Sequence, residues 1–266
     1  MSKMKIGIIG GGNMGEALIK GLHSSYALYI TEADGKRAAF LKKKYRLSIE
    51  DIDETIHQAS VLILAVKPQD MPIVLSYVKV TKEFWKKDQL IISIAAGLTT
   101  SYFEKYLSSK PRVIRTMPNM PALIGQGITA ICAGKYATSA DVKTAQKLLQ
   151  TIGQCVVVKE SMIDAVTAVS GSGPAYVFLF VEQWIASARK LGFDETQAKQ
   201  LVYQTLLGSA HLLEQSQWDA GTLRAKVTSK GGTTQAAMDV FSSRKFDQLM
   251  KEALLAAKNR AKELAK

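Results

Sequence analysis

A glycine-rich segment near the start of the chain has the composition of a phosphate-binding turn. Residues 10–15 read Gly-Gly-Gly-Asn-Met-Gly, which places Gly10, Gly12 and Gly15 in the spacing G-x-G-x-x-G. In a strand-turn-helix unit the first glycine permits the tight turn, the second lets the backbone approach a pyrophosphate, and the third lets helix and strand pack closely. An apolar run, Lys5–Ile9, precedes the segment and a helical pattern follows it. The segment therefore predicts a dinucleotide site at a helix N-terminus.

Charged residues after the second apolar run bear on which dinucleotide is bound. Glu32 lies about 20 residues beyond the glycines, where a carboxylate accepts hydrogen bonds from the ribose hydroxyls and repels a 2′-phosphate. This favours NADH. Lys36 and Arg37 follow one helical turn later and could pair with a 2′-phosphate, or they could be solvated helix residues. The choice between NADH and NADPH stays open.

Three further segments end predicted strands, at the edge where ligands of parallel sheets bind. Residues 65–69 read Ala-Val-Lys-Pro-Gln and could form a ligand-facing turn or a plain strand-to-helix turn. The small residues 93–97 would let a nicotinamide ring lie against the backbone, although small residues also serve packing alone. Residues 115–121 contain two prolines that fix the path of the loop. That loop would shape a pocket, unless Asn119 simply caps it.

A second glycine turn lies in the last third of the chain. Residues 227–235 read Val-Thr-Ser-Lys-Gly-Gly-Thr-Thr-Gln and open into a helical pattern. Hydroxyls at the start of a helix are most often structural caps. The N–H groups of residues 231–234, beside the hydroxyls of Ser229 and Thr234, would also make a receptor for a carboxylate. Another small-residue segment, 170–176, predicts a hinge before an apolar helix.

Composition excludes several other classes of protein. The formal charge of +12 is spread over helix faces without interleaved aromatic residues, which indicates solvated faces rather than a nucleic-acid site. Cys132 and Cys155 have no metal-ligand or redox spacing, and we expect no metal site. His23, His57 and His211 are scattered and are interpreted as ordinary helix or surface residues.

The chain shows neither a secretory signal nor an apolar stretch of membrane-spanning length. Glycines interrupt the apolar run within residues 1–10, and no small-residue cleavage pattern follows it. Together with two unpaired cysteines, this predicts a cytoplasmic protein without a membrane partner.

The elements that position these segments fall into two parts. Residues 1–159 are expected to form a doubly wound, Rossmann-like α/β domain, and residues 160–266 an all-helical domain. The helix around residues 176–188 is apolar on most faces, so we expect the second domain to dimerise. Strands are predicted at 5–9, 27–31, 61–66, 89–94, 112–115, 128–132 and 155–158, and helices at 14–24, 35–45, 69–79, 99–107, 139–151, 161–170, 174–191, 195–214, 233–241 and 246–264.

With these segments in this order, the chain resembles the pyrroline-5-carboxylate reductase family over essentially its full length. The segments 170–176 and 231–234 are the specific ones. The resemblance implies an oxidoreductase that transfers hydride from NADPH or NADH to the C=N bond of 1-pyrroline-5-carboxylate. The product is L-proline, in the last step of proline biosynthesis. The resemblance also implies homodimers, further assembled into decamers, with the active site where two chains meet.

The resemblance assigns residues to two sites. Thr234 is the residue best placed to hydrogen-bond the imine nitrogen and is the candidate catalytic residue. The substrate carboxylate is assigned to Ser229, Gly231, Gly232, Thr233 and Thr234. The cofactor is assigned to Ile9, Gly10, Gly11, Gly12, Asn13, Met14, Ala65, Val66, Lys67, Pro68, Ile94, Ala95 and Ala96. The spacing described above adds Gly15 and Glu32 to the cofactor site.

Several departures from the family keep two alternatives open. Lys230 stands where the family has proline, Ala225 where it has an acidic residue, and Glu32 where it has a neutral one; an asparagine is missing from residues 49–54. One alternative is a related Rossmann reductase acting on another imine or a hydroxy-acid dehydrogenase. The latter uses a catalytic lysine in the second domain, where Lys190 and Lys199 lie without the matching glycine-rich context. The other is a non-catalytic paralogue that binds the dinucleotide as a sensor.

Overall fold

The computed structural model describes residues 3–80, 89–107 and 110–264 of the chain. The chain divides into two compact units, one of Met1–Ser172 with Ala257–Lys266 and one of Gly173–Ala256. The boundary at 159/160 drawn from the sequence stays a prediction, and its outer limits, residues 1 and 266, lie outside the described residues.

The first unit is built on a seven-stranded sheet with the order β2-β1-β3-β4-β5-β6-β7. Neighbouring strands are parallel except β5 and β6, which are antiparallel. This confirms the predicted α/β class with a Rossmann-like sheet. The strands are β1 (Lys5–Ile9), β2 (Ala27–Thr31), β3 (Val61–Leu64), β4 (Leu90–Ser93), β5 (Arg112–Met117), β6 (Gly127–Ala133) and β7 (Gly153–Val157).

Helices cover both faces of this sheet because its central strands are apolar on both sides. Along β3, Ile63 belongs to the core of one face, whereas Leu62 and Leu64 belong to the core of the other. This alternation is the period of two that a strand imposes on its side chains. The first face packs against α1 (Asn13–Leu22), α2 (Gly35–Tyr45) and α6 (Ser139–Leu149), and the second against α3 (Ile52–Gln58), α4 (Met71–Val80) and α5 (Thr100–Leu107).

Some element boundaries differ from the predictions. Strand β3 ends at Leu64 rather than at residue 66, and β4 ends at Ser93 rather than at residue 94. Helix α3 was not predicted, because its seven residues are too few to show a helical period. The predicted helix 161–170 is a 3-10 turn (Glu160–Met162), a short α7 (Ile163–Val166) and a π-helix (Thr167–Gly171).

The second unit is helical, as expected. Its helices are α8 (Gly173–Lys190), α9 (Glu195–Gln215), α10 (Ala220–Lys226) and α11 (Thr233–Ser243), and α12 (Phe246–Leu264) continues from it into the first unit. Helix α9 begins with a capping box in which Asp194 accepts from the Gln197 N–H at 2.8 Å. Helix α10 was not predicted; Asp219 caps it in the same way, accepting from the Thr222 N–H at 2.7 Å.

Large apolar side chains lie on the surface of this second unit. Phe178 is 57% exposed and Leu179 is 58% exposed, and both belong to α8. The expectation that no apolar stretch reaches membrane-spanning length was wrong: by length and composition alone, the continuous helical segment Glu160–Lys190 could cross a membrane. A single such helix is weak evidence for a membrane span, and apolar patches of this kind also mark protein interfaces.

Candidate functional site

The glycine segment, the turn after β3 and the end of β4 lie side by side at one edge of the sheet. The Gly10 N–H donates to the Thr31 carbonyl at 2.9 Å, and the Ala65 N–H donates to the Ile9 carbonyl at 2.8 Å. The Ile94 N–H donates to Leu64 O at 3.2 Å. Adjacent parallel strands end here, so the fold brings together three segments that are far apart in sequence.

The geometry of the glycine segment fits a dinucleotide. Gly10 has φ +102°, and a Cβ there would lie 2.7 Å from the Ala65 carbonyl oxygen. A Cβ on Gly15 would collide with the Gly10 carbonyl oxygen. A Cβ on Gly12, in contrast, would meet no atom of the described residues within 4 Å, and Gly12, the N-cap of the helix that begins at Asn13, has no side chain with which to cap it. The N-terminus of α1 is therefore open in front of Gly12, as a pyrophosphate requires.

Glu32 is fixed at the end of β2 by two backbone N–H groups. Its Oε2 accepts from the Gly11 N–H at 2.6 Å, and its Oε1 accepts from the Asp34 N–H at 2.8 Å. Hydrogen bonds from N–H groups to a carboxylate are among the stronger ones in proteins. The carboxylate is thus part of the glycine segment's own structure, at the position from which a ribose would be contacted.

Arg37 is bound to the same segment. Its Nε donates to the Gly11 carbonyl at 2.6 Å, and its guanidinium also pairs with the carboxylate of Glu16. Of the two cations that the sequence offered for a 2′-phosphate, Arg37 is therefore engaged within the protein, whereas Lys36 is exposed. No sequence pattern indicates the pairing of Arg37 with Glu16.

The carboxylate of Glu16, on α1, accepts hydrogen bonds from three side chains of α2. Besides Arg37, Lys44 Nζ donates to it at 2.8 Å and the Tyr45 hydroxyl at 3.0 Å. Burial alone would raise the pKa of Glu16, but hydrogen bonds from Lys44, Arg37 and Tyr45 hold it below its ordinary value. Glu16 is therefore ionised at neutral pH and holds two basic side chains of α2.

Hydrogen bonds at Ser93 hold the segment after β4 in place. Ser93 is buried; its carbonyl accepts from the Thr116 hydroxyl at 3.0 Å, and its hydroxyl accepts from the Ala95 N–H at 3.3 Å. Ala95 is buried and Ala96 is exposed. In the loop after β5, Asn119 Oδ1 accepts from the Ile128 N–H at 2.9 Å. Asn119 therefore acts as a loop cap, the plainer of its two interpretations.

An ion pair between buried Arg115 and partly exposed Glu160, which the sequence did not reveal, lies next to the end of β4. The carboxylate of Glu160 accepts from the N–H and hydroxyl of Thr100, both at 2.7 Å, and from Arg115 Nη1 at 3.1 Å. Thr100 is the first residue of α5, so Glu160 places a negative charge at the N-terminus of that helix. Cys132 pairs with Arg115 across β5 and β6, and burial raises the pKa of its thiol to about 12.

In the second unit, the structure gathers residues 229–234 into one turn, called here the carboxylate turn. Gly231 has φ +73°, and the Gly232 N–H donates to the Ser229 carbonyl at 3.0 Å. A Cβ on Gly232 would collide with Ser229 Oγ, so this hydroxyl lies over the start of α11. The N-cap of that helix is Gly232, which has no side chain to cap it, and the first two helical residues are Thr233 and Thr234. The turn thus presents an open helix N-terminus, flanked by hydroxyls.

Residues around the turn include those that depart from the family pattern. Lys230 is exposed within the turn. Ala225 lines a cleft of the second unit together with Thr228, Gln235 and Asp239. Lys199, a candidate for a hydroxy-acid mechanism, instead donates to Glu195 at 2.6 Å, an ion pair one helical turn apart on α9.

Comparison with known proteins agrees with this architecture. Residues 160–264 match the family model for pyrroline-5-carboxylate reductase dimerisation, and residues 5–97 match the model for NADP oxidoreductase, coenzyme F420-dependent. A pyrroline-5-carboxylate reductase of Haemophilus influenzae is 40% identical over 272 residues, covering 99% of this chain and 98% of the relative.

Solved structures extend the agreement to three dimensions. A pyrroline-5-carboxylate reductase of Coxiella burnetii superposes with a TM-score of 0.91 at 34% identity, covering all of both chains. The Plasmodium falciparum pyrroline carboxylate reductase, solved with NADP bound, superposes with a TM-score of 0.87 at 28% identity, again over all of both chains. The chain belongs to the pyrroline-5-carboxylate reductase family.

Proposed function

We propose that this protein reduces 1-pyrroline-5-carboxylate to L-proline with NADPH or NADH, the last step of proline biosynthesis. One observation carries the proposal: a single chain of this family contains two open helix N-termini of different character. The one at Gly12 is formed by glycines, as a pyrophosphate requires, and the one at Gly232 is flanked by hydroxyls, as a small carboxylate requires.

The nucleotide binds at the edge of the sheet in this proposal. The first N–H groups of α1 hold the pyrophosphate, and Glu32 contacts the ribose. The turn after β3 and the small residues after β4 border the nicotinamide, which supplies hydride to the C=N carbon. Ser93 and Thr116 keep the β4 end rigid, so the ring faces a surface that need not reorganise. The contributing residues are Ile9–Gly15, Glu32, Ala65–Pro68 and Ile94–Ala96.

The imine carboxylate binds at the carboxylate turn. The N–H groups of residues 231–234 and the hydroxyl of Ser229 hold its carboxylate, and the Thr234 hydroxyl hydrogen-bonds the imine nitrogen. Thr234 is half-buried, at the second position of α11. Hydride transfer needs few further side-chain groups, because holding the two reactants close together in the correct orientation supplies much of the rate. Lys230 adds a positive charge beside the carboxylate.

The protein acts as a homodimer, assembled further into a decamer, in the cytoplasm and without membrane or nucleic-acid partners. The exposed apolar side chains of α8 support a second copy as the partner, because a monomer would leave them in water. We expect Leu179→Arg to dissociate the oligomer in analytical ultracentrifugation. Ile73→Arg is the matched control, since Ile73 is equally exposed but belongs to the first unit; dissociation by both variants would contradict the assignment of the interface to α8.

The activity is tested by following oxidation of NADH and of NADPH, with and without 1-pyrroline-5-carboxylate. The proposal expects oxidation that depends on the imine and yields proline. Folded protein that binds nucleotide but oxidises neither form would contradict it and favour a non-catalytic paralogue. Oxidation that requires a 2-keto or 3-keto acid instead would identify the hydroxy-acid alternative.

A further inference from the structure

The contacts of Glu32 and Arg37 allow the cofactor choice to be narrowed. We propose that this protein is selective for NADH, because Glu32 excludes a 2′-phosphate and Glu16 withholds Arg37 from it. The inference rests on the proposed function only in requiring that a nicotinamide dinucleotide binds at the glycine segment.

The carboxylate of Glu32 cannot easily turn away from the ribose end of the site. Both of its carboxylate oxygens accept backbone N–H groups, from Gly11 at 2.6 Å and from Asp34 at 2.8 Å. These bonds come from the glycine segment on one side and from the residue that caps α2 on the other. Rotation of the side chain away from an incoming phosphate would leave both donors unsatisfied. The negative charge is therefore a fixed feature of the ribose end of the site.

Two cations of α2 that could offset the charge of Glu32 are held in other contacts. Arg37 donates to the carbonyls of Gly11, at 2.6 Å, and Gly12, at 3.3 Å, and pairs with Glu16. Lys44, also on α2, pairs with the same Glu16 carboxylate at 2.8 Å. Binding a 2′-phosphate through Arg37 would require breaking these bonds and leaving Glu16 with one fewer partner. The ion pair thus keeps the arginine in a structural position under the glycine segment.

The fixed carboxylate of Glu32 and the engagement of Arg37 both disfavour a 2′-phosphate. The 2′-hydroxyl of NADH can donate to Glu32, whereas the 2′-phosphate of NADPH has no proton to donate at that oxygen and brings up to two negative charges. Like charges brought together at a binding site cost several kcal/mol. The expected preference for NADH is therefore on the order of 100-fold in dissociation constant.

The test is calorimetric titration of the full-length protein, without the imine. ADP-ribose and 2′-phospho-ADP-ribose are compared first, since they differ only at the 2′ position, and then NAD⁺ and NADP⁺. We expect tight binding of ADP-ribose and NAD⁺, which lack the 2′-phosphate, and weak binding of the two ligands that carry it. Because the repulsion is electrostatic, the discrimination should shrink as salt is raised.

Two variants test the residues named. Glu32→Gln keeps an oxygen for the Gly11 N–H but removes the charge, and we expect it to tighten NADP⁺ binding by about tenfold or more while weakening NAD⁺. Adding Glu16→Gln to that variant should tighten NADP⁺ further by releasing Arg37. Glu214→Gln, an equal change of charge at an exposed position of α9, is the control and should change neither affinity.

Three outcomes would overturn the proposal. Equal affinities for both nucleotides would contradict the proposed selectivity but would not contradict the proposed reductase function. Weaker NADP⁺ binding in Arg37→Gln, with NAD⁺ binding unchanged, would show that this arginine already contacts the 2′-phosphate. Failure of both NAD⁺ and NADP⁺ to bind to the folded protein would overturn the selectivity and the proposed reductase together, a result distinct from the first two.

Discussion

Arg115 and Glu160 form an ion pair in which Nη1 lies 3.1 Å from the carboxylate, and the arginine is almost completely buried while the glutamate is 31% exposed. Removing one member of such a pair leaves a buried charge without compensation, which costs about 3–5 kcal/mol when both members are buried. Because Glu160 is partly solvated, we expect Glu160→Ala to lower the free energy of unfolding by about 2–3 kcal/mol. Urea denaturation measures this.

The exposed pair Arg260 and Glu263 provides the control for this prediction. Its two side chains are 67% and 60% exposed, and surface pairs contribute less than about 1 kcal/mol. Glu263→Ala should therefore leave the urea midpoint nearly unchanged. Equal and small losses in both variants would show that Arg115 finds another partner or water when Glu160 is removed.

Two alanine substitutions in the glycine segment should separate stability from nucleotide binding. Gly12→Ala places a methyl group in open space at φ −60°, so the melting temperature should hardly change. The same methyl group lies where a pyrophosphate would approach, so nucleotide affinity should fall on the order of 10- to 100-fold. Calorimetric titration and thermal melting measure the two effects separately.

Gly15→Ala should behave differently, although alanine normally stabilises a helix by about 1 kcal/mol relative to glycine. Its Cβ would collide with the Gly10 carbonyl oxygen, which belongs to the backbone and cannot rotate away. Overpacking of this kind costs about 1–3 kcal/mol, so the clash outweighs the helix propensity. An unchanged or raised melting temperature for Gly15→Ala would contradict the close packing of helix α1 against β1.

The role proposed for Thr234 depends on its hydroxyl. Thr234→Ala should lower turnover by about 100-fold, within the range for losing a group that acts on the transition state, while nucleotide affinity stays unchanged. Thr234→Ser keeps the hydroxyl and should recover most of the turnover. If Thr234→Ala turns over as fast as the original protein, Thr234 has no part in the reaction.

The buried thiol of Cys132 should make stability fall at alkaline pH. Its pKa is raised from 9.0 to about 12 by burial, with Glu160 adding to the effect. Above about pH 9 the unfolded chain releases this proton and the folded chain keeps it, so unfolding becomes more favourable by at most about 1.4 kcal/mol per pH unit. The stabilisation is complete below pH 9 and is lost as pH rises towards 12.

Comparison with Cys132→Ala isolates this contribution from tyrosines and lysines that titrate in the same range. The variant should be less stable at pH 7, because it loses buried volume, but its stability should fall less steeply between pH 9 and 11. Parallel curves for the two proteins would mean that the thiol is accessible to solvent in the folded state.

The sequence alone predicted the α/β class, the helical second half and most element positions. Strands β1 and β2 have the predicted bounds, because their apolar runs are ended by glycine or polar residues. The glycine segment was predictable because the chemistry of a phosphate turn is local: the spacing of Gly10, Gly12 and Gly15 is set within one strand-turn-helix unit. Residues 229–234 also form a local turn, and their assignment to a carboxylate stays a prediction.

What the sequence could not give are the contacts between residues far apart in the chain. Arg37 and Glu16 are separated by 21 positions, and Glu160 and Arg115 by 45. Neither pair follows a helical or strand period, and each residue alone is typical of a solvated surface. Their partners are set by which strands become neighbours in the sheet and which helices then cover it.

The preference between NADH and NADPH depends both on residues that the sequence identifies and on contacts that only the fold sets. Sequence determined that Glu32, Lys36 and Arg37 follow the second strand, and it left their competing effects on a 2′-phosphate unresolved. Tertiary structure decided where Arg37 points, because folding α2 beside α1 brings it to Glu16 and to the Gly11 carbonyl. A charge–charge contact depends on distance in space, and only the packing of the two helices fixes that distance.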